Sequence, residues 1–330
     1  MGVALAPVNG RGSAQKLVDA GARELYLGFY DHRWDDAFGG APLNRMSGFG
    51  AEANAFSFEE LLDEVRHLRA TEAQEGRPAV KVYCVFNSMT YTATMNTWIA
   101  RTYLEPLVQA GVNGVILSET SLAYESHCCG LETVASTMAA AYNAATVAWL
   151  GEEGIDRVIL PRDLSLQDIE GIVHTVPTMR YEVFLMRNGC VFADAHCMGL
   201  HRSGQPSVCR TLRSSYGWRQ SSAFVEELPA AERMATHRLW AERLHLNTCG
   251  LCALWRFEQL GIEAYKVVGR GDGIDDLAAD VALVARNIEI ARSCASEDAY
   301  LAAMDRPDGI RALCENEGLS CYYPEVRFGR

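Results

Sequence analysis

The sequence predicts an α/β protein folded as a (β/α)8 TIM-type barrel, and three observations support this fold class. Eight short apolar segments rich in β-branched residues recur along the chain, as buried parallel strands do. Amphipathic helical patterns alternate with them. The 330 residues suffice for one such domain. An open doubly wound sheet is the alternative, although no G-x-G-x-x-G fingerprint favours it.

The predicted strands and helices follow each other in a regular order. The strands are residues 3–7, 24–28, 80–86, 114–118, 132–137, 157–161, 181–186 and 265–270. The helices between them include residues 57–69, 95–110, 142–151 and 165–174. Ser57 with Glu60 forms a capping-box pattern, and Ser165 precedes an acidic first turn that contains Asp168. These signals predict where two of the helices begin.

The regular spacing ends after the seventh strand. Almost eighty residues separate Met186 from Tyr265, in the position of the seventh βα loop, and a loop of that length is usually functional. Residues 275–293 then read as a long helix. We predict one domain in three parts: barrel strands 1–7 in residues 1–186, a cysteine-rich insertion in 187–264, and the closing strand with a C-terminal helical tail in 265–330.

Composition restricts the class of protein. The net charge of -12 provides no general attraction for nucleic acid, so RNA or DNA binding would need a local basic patch. The sequence starts without a signal-peptide pattern and contains no apolar run long enough for a membrane helix. We therefore expect a cytoplasmic protein. In a reducing compartment its 11 cysteines favour metal binding or catalysis over a disulfide framework.

Four cysteines in or near the insertion are the main candidates for metal ligands. Cys190, Cys197, Cys209 and Cys249 could hold tetrahedral zinc or an iron–sulfur cluster. Only Cys249 and Cys252 form the C-x2-C pair typical of zinc sites, and the irregular spacing of the rest favours a cluster. Cys252 is an alternative fourth ligand. Buried structural thiols are the competing interpretation.

Arginines crowd around the first three of these cysteines. Six of them lie between residues 180 and 220, opposed by only two carboxylates, Glu182 and Asp194. They are Arg180, Arg187, Arg202, Arg210, Arg213 and Arg219. Guanidinium groups could stabilise an anionic cluster or bind a carboxylate or phosphate in a bidentate manner. A solvated charged surface is the alternative.

Polar residues at predicted strand ends are candidates for the active site, because the carboxyl ends of barrel strands meet at one face. Asn87 follows the third strand and Arg162 the sixth, while Arg270 ends the eighth. We assign these three catalytic roles. We assign substrate contacts to Ser136, Thr137, Arg187, Arg202 and Lys266. Capping turns and structural salt bridges are the competing interpretations.

Several segments together resemble the U32 peptidase-like family along most of the chain. The segment most similar to the family is Arg157-Val158-Ile159-Leu160-Pro161-Arg162-Asp163-Leu164-Ser165. Other matching segments are residues 20–28, 81–83 with Asn87, 110–116, 182–184 leading into Cys190 and Cys197, and 261–262 with 266–270. Cys249 falls where many members carry a cysteine before the closing strand.

The resemblance implies a TIM-type barrel with a 4Fe-4S cluster held by four cysteines. Characterised members of the family look like oxygen-independent hydroxylases that act on RNA bases or ubiquinone precursors. Prephenate is implicated as their oxygen source. Collagenase activity has been attributed to some members, but this sequence contains no recognisable protease motif.

This chain departs from the family pattern at positions near the active face. Met186 and Arg187 replace the usual histidine and glycine, Val268 replaces a glutamate and Met138 a glutamine. Cys209 stands alone in a stretch where the family often has two cysteines. We therefore expect a substrate that differs from that of the RNA-modifying members.

The sequence leads to one main functional hypothesis and three alternatives. The main hypothesis is a 4Fe-4S-dependent, oxygen-independent hydroxylase that acts on an anionic or aromatic small molecule, with a prephenate-like oxygen donor. The alternatives are a U32-type peptidase, an RNA-base hydroxylase, and a cluster-carrying subunit that works with a homologous partner subunit.

Overall fold

The computed structural model describes residues 1–46, 54, 56–89, 91–187, 194–196, 248–306 and 321–326. These residues form a closed barrel of eight parallel strands in sequential order, which confirms the predicted fold class. The strands are β1 Val3–Pro7, β2 Glu24–Leu27, β3 Lys81–Phe86, β4 Gly114–Leu117, β5 Glu132–Ala135, β6 Arg157–Ile159, β7 Arg180–Met186 and β8 Ala264–Val267.

Helices cover the outside of the barrel. Those before β7 are α1 Ser13–Asp19, α2 His32–Phe38, α3 Phe58–Glu75, α4 Ala93–Ile99, α5 Glu105–Ala110, α6 Ala123–Cys128, α7 Ala144–Glu152 and α8 Leu166–Thr175. A π-helical turn, Ala100–Leu104, joins α4 to α5, so the predicted helix 95–110 is continuous but irregular. After the insertion come α9 Leu254–Leu260, α10 Ile274–Ser293 and α11 Glu297–Ala303.

Parallel pairing sets the register around the barrel. Leu5 of β1 pairs with Glu24 of β2 on one side and with Lys266 of β8 on the other, which closes the ring. Most strand residues are buried, because the barrel interior covers one face of each strand and helices cover the other. This double burial explains why the strands read as continuous apolar runs in the sequence.

Side-chain caps fix where two predicted helices begin. The Ser57 hydroxyl accepts a hydrogen bond from the Glu60 amide, and the Glu60 carboxylate accepts one from the Ser57 amide. Ser165 and Asp168 make the same reciprocal pair at the start of α8. Each reciprocal pair satisfies two backbone amides that have no hydrogen-bond partner within the helix. The predicted starts of these helices are confirmed.

A group of charged residues fills part of the barrel interior. Arg157 of β6 donates to the Glu24 carboxylate of β2 at 2.8 Å and lies 3.4 Å from the Glu182 carboxylate of β7. Lys266 of β8 donates to Glu182 at 2.7 Å. All four residues are buried. Since an isolated buried charge is costly, their mutual pairing is what allows them to lie there.

The C-terminal residues 321–326 return to the barrel beside the end of β7. Tyr323 donates a hydrogen bond to the Phe184 carbonyl at 2.9 Å, and its ring packs against Phe257 of α9. The backbones of Cys321 and Cys249 pair in an isolated parallel β-bridge. Among the helices that the structure describes, none combines the length and apolarity needed to cross a membrane.

Candidate active site

Polar side chains from several strand ends and loops meet at the mouth of the barrel, where the strands finish. Asn87 directly follows β3, Ser136 directly follows β5, and Arg162 and Arg270 each stand three residues beyond a strand. Parallel strands bring their carboxyl ends to the same face. The strand-end residues predicted from the sequence therefore lie in the region where barrel enzymes place their active sites.

Asn87 connects two loops of the mouth. Its Oδ1 accepts a hydrogen bond from the Arg45 backbone amide at 3.0 Å, and its Nδ2 approaches the Ser136 hydroxyl at 3.5 Å. The Ser136 hydroxyl also accepts a bond from the Met138 amide and caps a short 3-10 helix, Thr137–Ala139. Thr137 is buried in that helix. Ser136 thus has the capping role that competes with substrate binding, and the catalytic and substrate roles of all three residues stay predictions.

Two arginines share one buried carboxylate at the mouth. Asp194 accepts from Arg162 Nε at 2.6 Å and from Arg45 Nη1 at 2.7 Å. Burial by itself would raise the pKa of Asp194, but the two guanidinium groups outweigh burial and hold the pKa below its usual range. Arg162 also lies over the Phe184 ring, with 4.1 Å between the guanidinium carbon and the ring centroid. Asp194 thus stays ionised and fastens residues 194–196 to the barrel.

Arg270 has different surroundings. Its Nη1 lies 3.5 Å from Asn54 Oδ1, and Arg45 is close enough for electrostatic repulsion. Burial lowers the pKa of Arg270 to about 10, and the repulsion from Arg45 acts in the same direction. The guanidinium still carries its charge at neutral pH. Within the described part of the chain, no carboxylate pairs with it.

Arg187 and Lys266, both predicted to contact substrate, are engaged within the protein. Arg187 has a positive φ of 67° and contacts Asp272 at 3.2 Å and Asp280 at 3.0 Å. Lys266 donates to Glu182 and lies 4.0 Å from the centroid of the Tyr26 ring. Burial lowers the pKa of Lys266, while Glu182 opposes that shift. Arg202 lies outside the described residues.

Of the predicted cluster ligands, the structure describes only Cys249 and the alternative, Cys252. Cys190, Cys197 and Cys209 lie outside the described residues. Cys249 is buried, and its backbone forms an antiparallel β-bridge with Met186 at the end of β7. Two backbone hydrogen bonds flank this pair. The Arg187 amide donates to the Thr248 carbonyl and the Gly250 amide to the Leu185 carbonyl, both at 2.7 Å. Cys252 lies in the adjoining 3-10 helix, Leu251–Ala253, and is partly exposed.

The described residues include only one of the four predicted cluster ligands, Cys249, so the predicted cluster site stays a prediction. No group of three or more potential metal ligands occurs among them, but three of the four predicted thiols fall elsewhere in the sequence. Cys321, which has no predicted role, lies beside Cys249 because the backbones of the two residues pair in an isolated β-bridge. Cys314, also without an assigned role, is outside the described residues.

Comparison with known families identifies the chain. The model of peptidase family U32 matches residues 11–318. The chain belongs to family U32. The match includes every strand from β2 to β8 and the whole insertion, so the resemblance inferred from individual segments extends over nearly the full sequence.

The U32 chain is also similar to curated proteins and to a solved structure. It is 34% identical over 120 residues to tRNA hydroxylation protein P of Escherichia coli (strain K12), covering 36% of this chain and 26% of that protein. It is 23% identical over 249 residues to tRNA hydroxylation protein P1 of Bacillus subtilis (strain 168), covering 73% and 56%. The chain therefore spans between about a quarter and just over half of these relatives. The solved structure of a U32 peptidase has a TM-score of 0.49 and 13% identity, covering 82% of this chain and 93% of that one.

Sequence reasoning missed several residues at the mouth of this U32 barrel. Arg45 and Asn54 lie in the loop after α2, which has no strand-end position to mark them. In the sequence, Asp194 is marked only as a charge that opposes the arginines. Gly28 follows β2, and a Cβ there would lie 2.4 Å from Arg270 Nη1 and 2.8 Å from Asn54 Oδ1. A glycine at a strand end was the one signal available in advance.

Proposed function

We propose that this chain is an oxygen-independent hydroxylase that uses a 4Fe-4S cluster and acts on an anionic or aromatic small molecule. The observation that carries the proposal is the Arg45–Asp194–Arg162 bridge. It joins the cysteine-bearing insertion to the strand ends, where the candidate catalytic residues lie. Membership of family U32 and relatives named for tRNA hydroxylation support a hydroxylation reaction.

The described surroundings are compatible with a cluster at this position. Cys190, Cys197, Cys209 and Cys249 would hold it, since thiolates are the usual ligands of iron–sulfur clusters. Cys249 is fixed at the end of β7, and Cys190 lies four residues after Met186 and four before Asp194. The chain is therefore fixed to the barrel on both sides of Cys190. When bound, the cluster would supply electron transfer next to the mouth.

The residues of the mouth would bind and orient the reactants. Arg270, which keeps its charge at neutral pH, would hold an anionic group. Arg162 and its partner Asp194 would hold residues 194–196 against the mouth and limit the access of water to it. Asn87 would orient a polar group through its amide. A prephenate-like molecule is the oxygen donor we propose.

An RNA-base hydroxylase is the second candidate function. The names of the curated relatives favour it, because those proteins are named for hydroxylation of tRNA. The net charge of -12 favours a small substrate instead, since an RNA-binding surface would require a local excess of cations. A peptidase and a cluster-carrying subunit of a heteromeric enzyme remain alternatives, and the first of these would cleave peptides without iron.

Iron and sulfide analysis of protein purified without oxygen tests the cluster. We expect the wild-type chain to contain about four irons and four sulfides, as a 4Fe-4S cluster requires. Cys249→Ser should lose most of the iron. Cys252→Ser and Cys128→Ser, the second an exposed thiol on α6, should retain it. A colourless, iron-free wild-type protein that hydroxylates its substrate would overturn the proposal.

Mass spectrometry of candidate substrates separates the two hydroxylase functions. Cluster-loaded protein with a reductant and prephenate would be incubated with bulk tRNA in one sample and with an extract of small metabolites in another. A gain of one oxygen atom in the metabolite sample alone supports the main proposal. The same gain in tRNA alone supports the RNA-base alternative.

A further inference from the structure

Arg270 is the arginine of the mouth that has no described counter-charge. Arg45 and Arg162 share the Asp194 carboxylate, with ion-pair distances of 2.7 and 2.6 Å. In the described ranges, the one hydrogen-bond partner of Arg270 is the neutral Asn54 amide at 3.5 Å. Among the described residues, Arg45 and Arg162 thus share a carboxylate, whereas no carboxylate pairs with Arg270. A desolvated cation without a counter-ion is costly, which indicates that a ligand supplies the missing negative charge.

Asn54 presents a second group that lacks a partner. Asn54 is 1% exposed, and its Nδ2 has no hydrogen-bond acceptor among the residues that the structure describes. A buried amide donor without an acceptor costs about 1–3 kcal/mol. Since Oδ1 of the same amide faces Arg270, the unsatisfied donor and the uncompensated cation belong to one small region.

The absence of a side chain at Gly28 allows Arg270 and Asn54 to approach each other beside it. A Cβ at this position would lie 2.4 Å from Arg270 Nη1, 2.8 Å from Asn54 Oδ1 and 3.3 Å from Asn44 Nδ2. The first two distances are shorter than real contacts, so any larger side chain would displace Arg270 or Asn54. The backbone of Gly28 is not in the left-handed region, so its conformation does not require a glycine. The close approach of the neighbouring side chains does.

We propose that Arg270 and Asn54, beside Gly28, bind a carboxylate group of the reacting small molecule. This inference rests on the proposed function and narrows its anionic substrate to a carboxylic acid. A guanidinium and an amide donor side by side suit the two oxygens of a planar carboxylate. The positive charge of Arg270, which no described carboxylate compensates, matches the single negative charge of that group.

Isothermal titration of the full chain, purified without oxygen as for the iron analysis, with benzoate tests the inference, and uncharged benzamide is the isosteric control. We expect saturable binding of benzoate and none of benzamide. Arg270→Gln should weaken benzoate binding about tenfold or more, because it removes a charged hydrogen bond. Arg286→Gln is the matched control, since Arg286 forms an exposed pair with Asp305 far along α10, and it should bind as wild type does.

A second variant keeps the positive charge of Arg270 and fills the space beside it. Gly28→Ala retains Arg270 but places a Cβ against it, so benzoate binding should weaken while the iron content stays that of wild type. This result supports the inference even where Arg270→Gln fails to fold. Unchanged benzoate affinity in either folded variant, no saturable benzoate binding, or tighter binding of inorganic phosphate would overturn the inference.

Iron analysis of the same samples separates this inference from the proposed function. Loss of benzoate binding in Arg270→Gln with full iron content supports the carboxylate site. A wild-type chain that binds benzoate without containing iron would contradict the cluster proposal and leave the carboxylate site supported. The two proposals thus fail on different measurements.

Discussion

At the scale of single residues, Asp194 has the most consequential position. Its carboxylate is buried between the guanidinium groups of Arg45 and Arg162, which come from different loops of the barrel. Removing one partner from a buried ion pair costs more than the pair itself contributes, because the remaining charges stay desolvated. Asp194 therefore links the stability of the mouth to the position of the cysteine-bearing insertion.

Asp194→Asn should lower the free energy of unfolding by about 3 kcal/mol or more at neutral pH, since two buried guanidinium groups lose their counter-charge. The folded-state pKa of Asp194 is depressed. Its stabilising effect is therefore present above the unfolded pKa of about 4 and is lost as the pH falls through the folded pKa. Urea unfolding of both proteins across this pH range measures the difference, which should shrink in acid.

Asp305→Asn provides the matched control for this experiment. Asp305 pairs with Arg286 at 2.8 Å, but both side chains are about half exposed. Water screens such pairs, so the substitution should change the free energy of unfolding by less than about 1 kcal/mol. An Asp194→Asn protein as stable as this control would show that the buried bridge contributes nothing.

At the scale of elements, a buried charge cluster connects strands that are distant in sequence. Glu24 of β2, Arg157 of β6, Glu182 of β7 and Lys266 of β8 meet inside the barrel. Arg157 also lies 4.7 Å from the centroid of the Tyr83 ring of β3. Burial raises the pKa of Glu24, and the charge of Arg157 opposes that shift. These contacts fix how the strands face one another across the interior.

Arg157→Met should lower the free energy of unfolding by about 3 kcal/mol or more at neutral pH, because Glu24 and Glu182 lose their shared cation. The pKa of Glu24 should then rise further above its unfolded value. A carboxyl with a raised folded pKa destabilises the fold most at neutral pH and less as acid protonates it. Chemical unfolding at several pH values should therefore show the variant gaining stability, relative to wild type, on mild acidification.

Arg66→Met is the control for the buried arginine. Arg66 pairs with Asp63 on the exposed face of α3 at 3.1 Å, so its loss should change stability by less than about 1 kcal/mol at any of these pH values. Equal effects of the two substitutions would mean that the interior charges are not coupled to folding.

At the scale of the whole molecule, the C-terminal residues close the region around Cys249. The Tyr322 amide donates to the Cys249 carbonyl at 2.9 Å, and the buried Tyr323 ring lies against Gly250 and Phe257. Residues 321–326, residues 248–250 and β7 therefore form one packed unit. This unit holds the predicted ligand Cys249 in place.

Tyr323→Ala should lower the free energy of unfolding by about 3 kcal/mol, since it removes a fully buried ring and its hydrogen bond to Phe184. Thermal and urea unfolding measure this loss. Tyr124→Ala is the matched control, because Tyr124 is 77% exposed, and it should be nearly neutral. A Tyr323→Ala chain as stable as Tyr124→Ala would contradict the packing role of the tail.

Local patterns in the sequence were sufficient for the barrel and for several residues of its mouth. Continuous apolar runs predicted all eight strands, because both faces of each strand are buried. Ser57 and Ser165 predicted two helix starts, since a cap depends on residues only three apart. Strand-end positions also placed Asn87, Ser136, Arg162 and Arg270 at the mouth.

The partners of those side chains came from the tertiary structure alone. Arg162 and Arg187 are both arginines near the mouth, yet Arg162 meets Asp194 and Arg187 meets Asp272 and Asp280. Arg270 meets a neutral amide beside Gly28. Composition and spacing report which charges exist, while ion pairing depends on distances between residues far apart in sequence. The sequence thus determined the barrel and its family, and the fold decided which arginine has no counter-charge among the described residues.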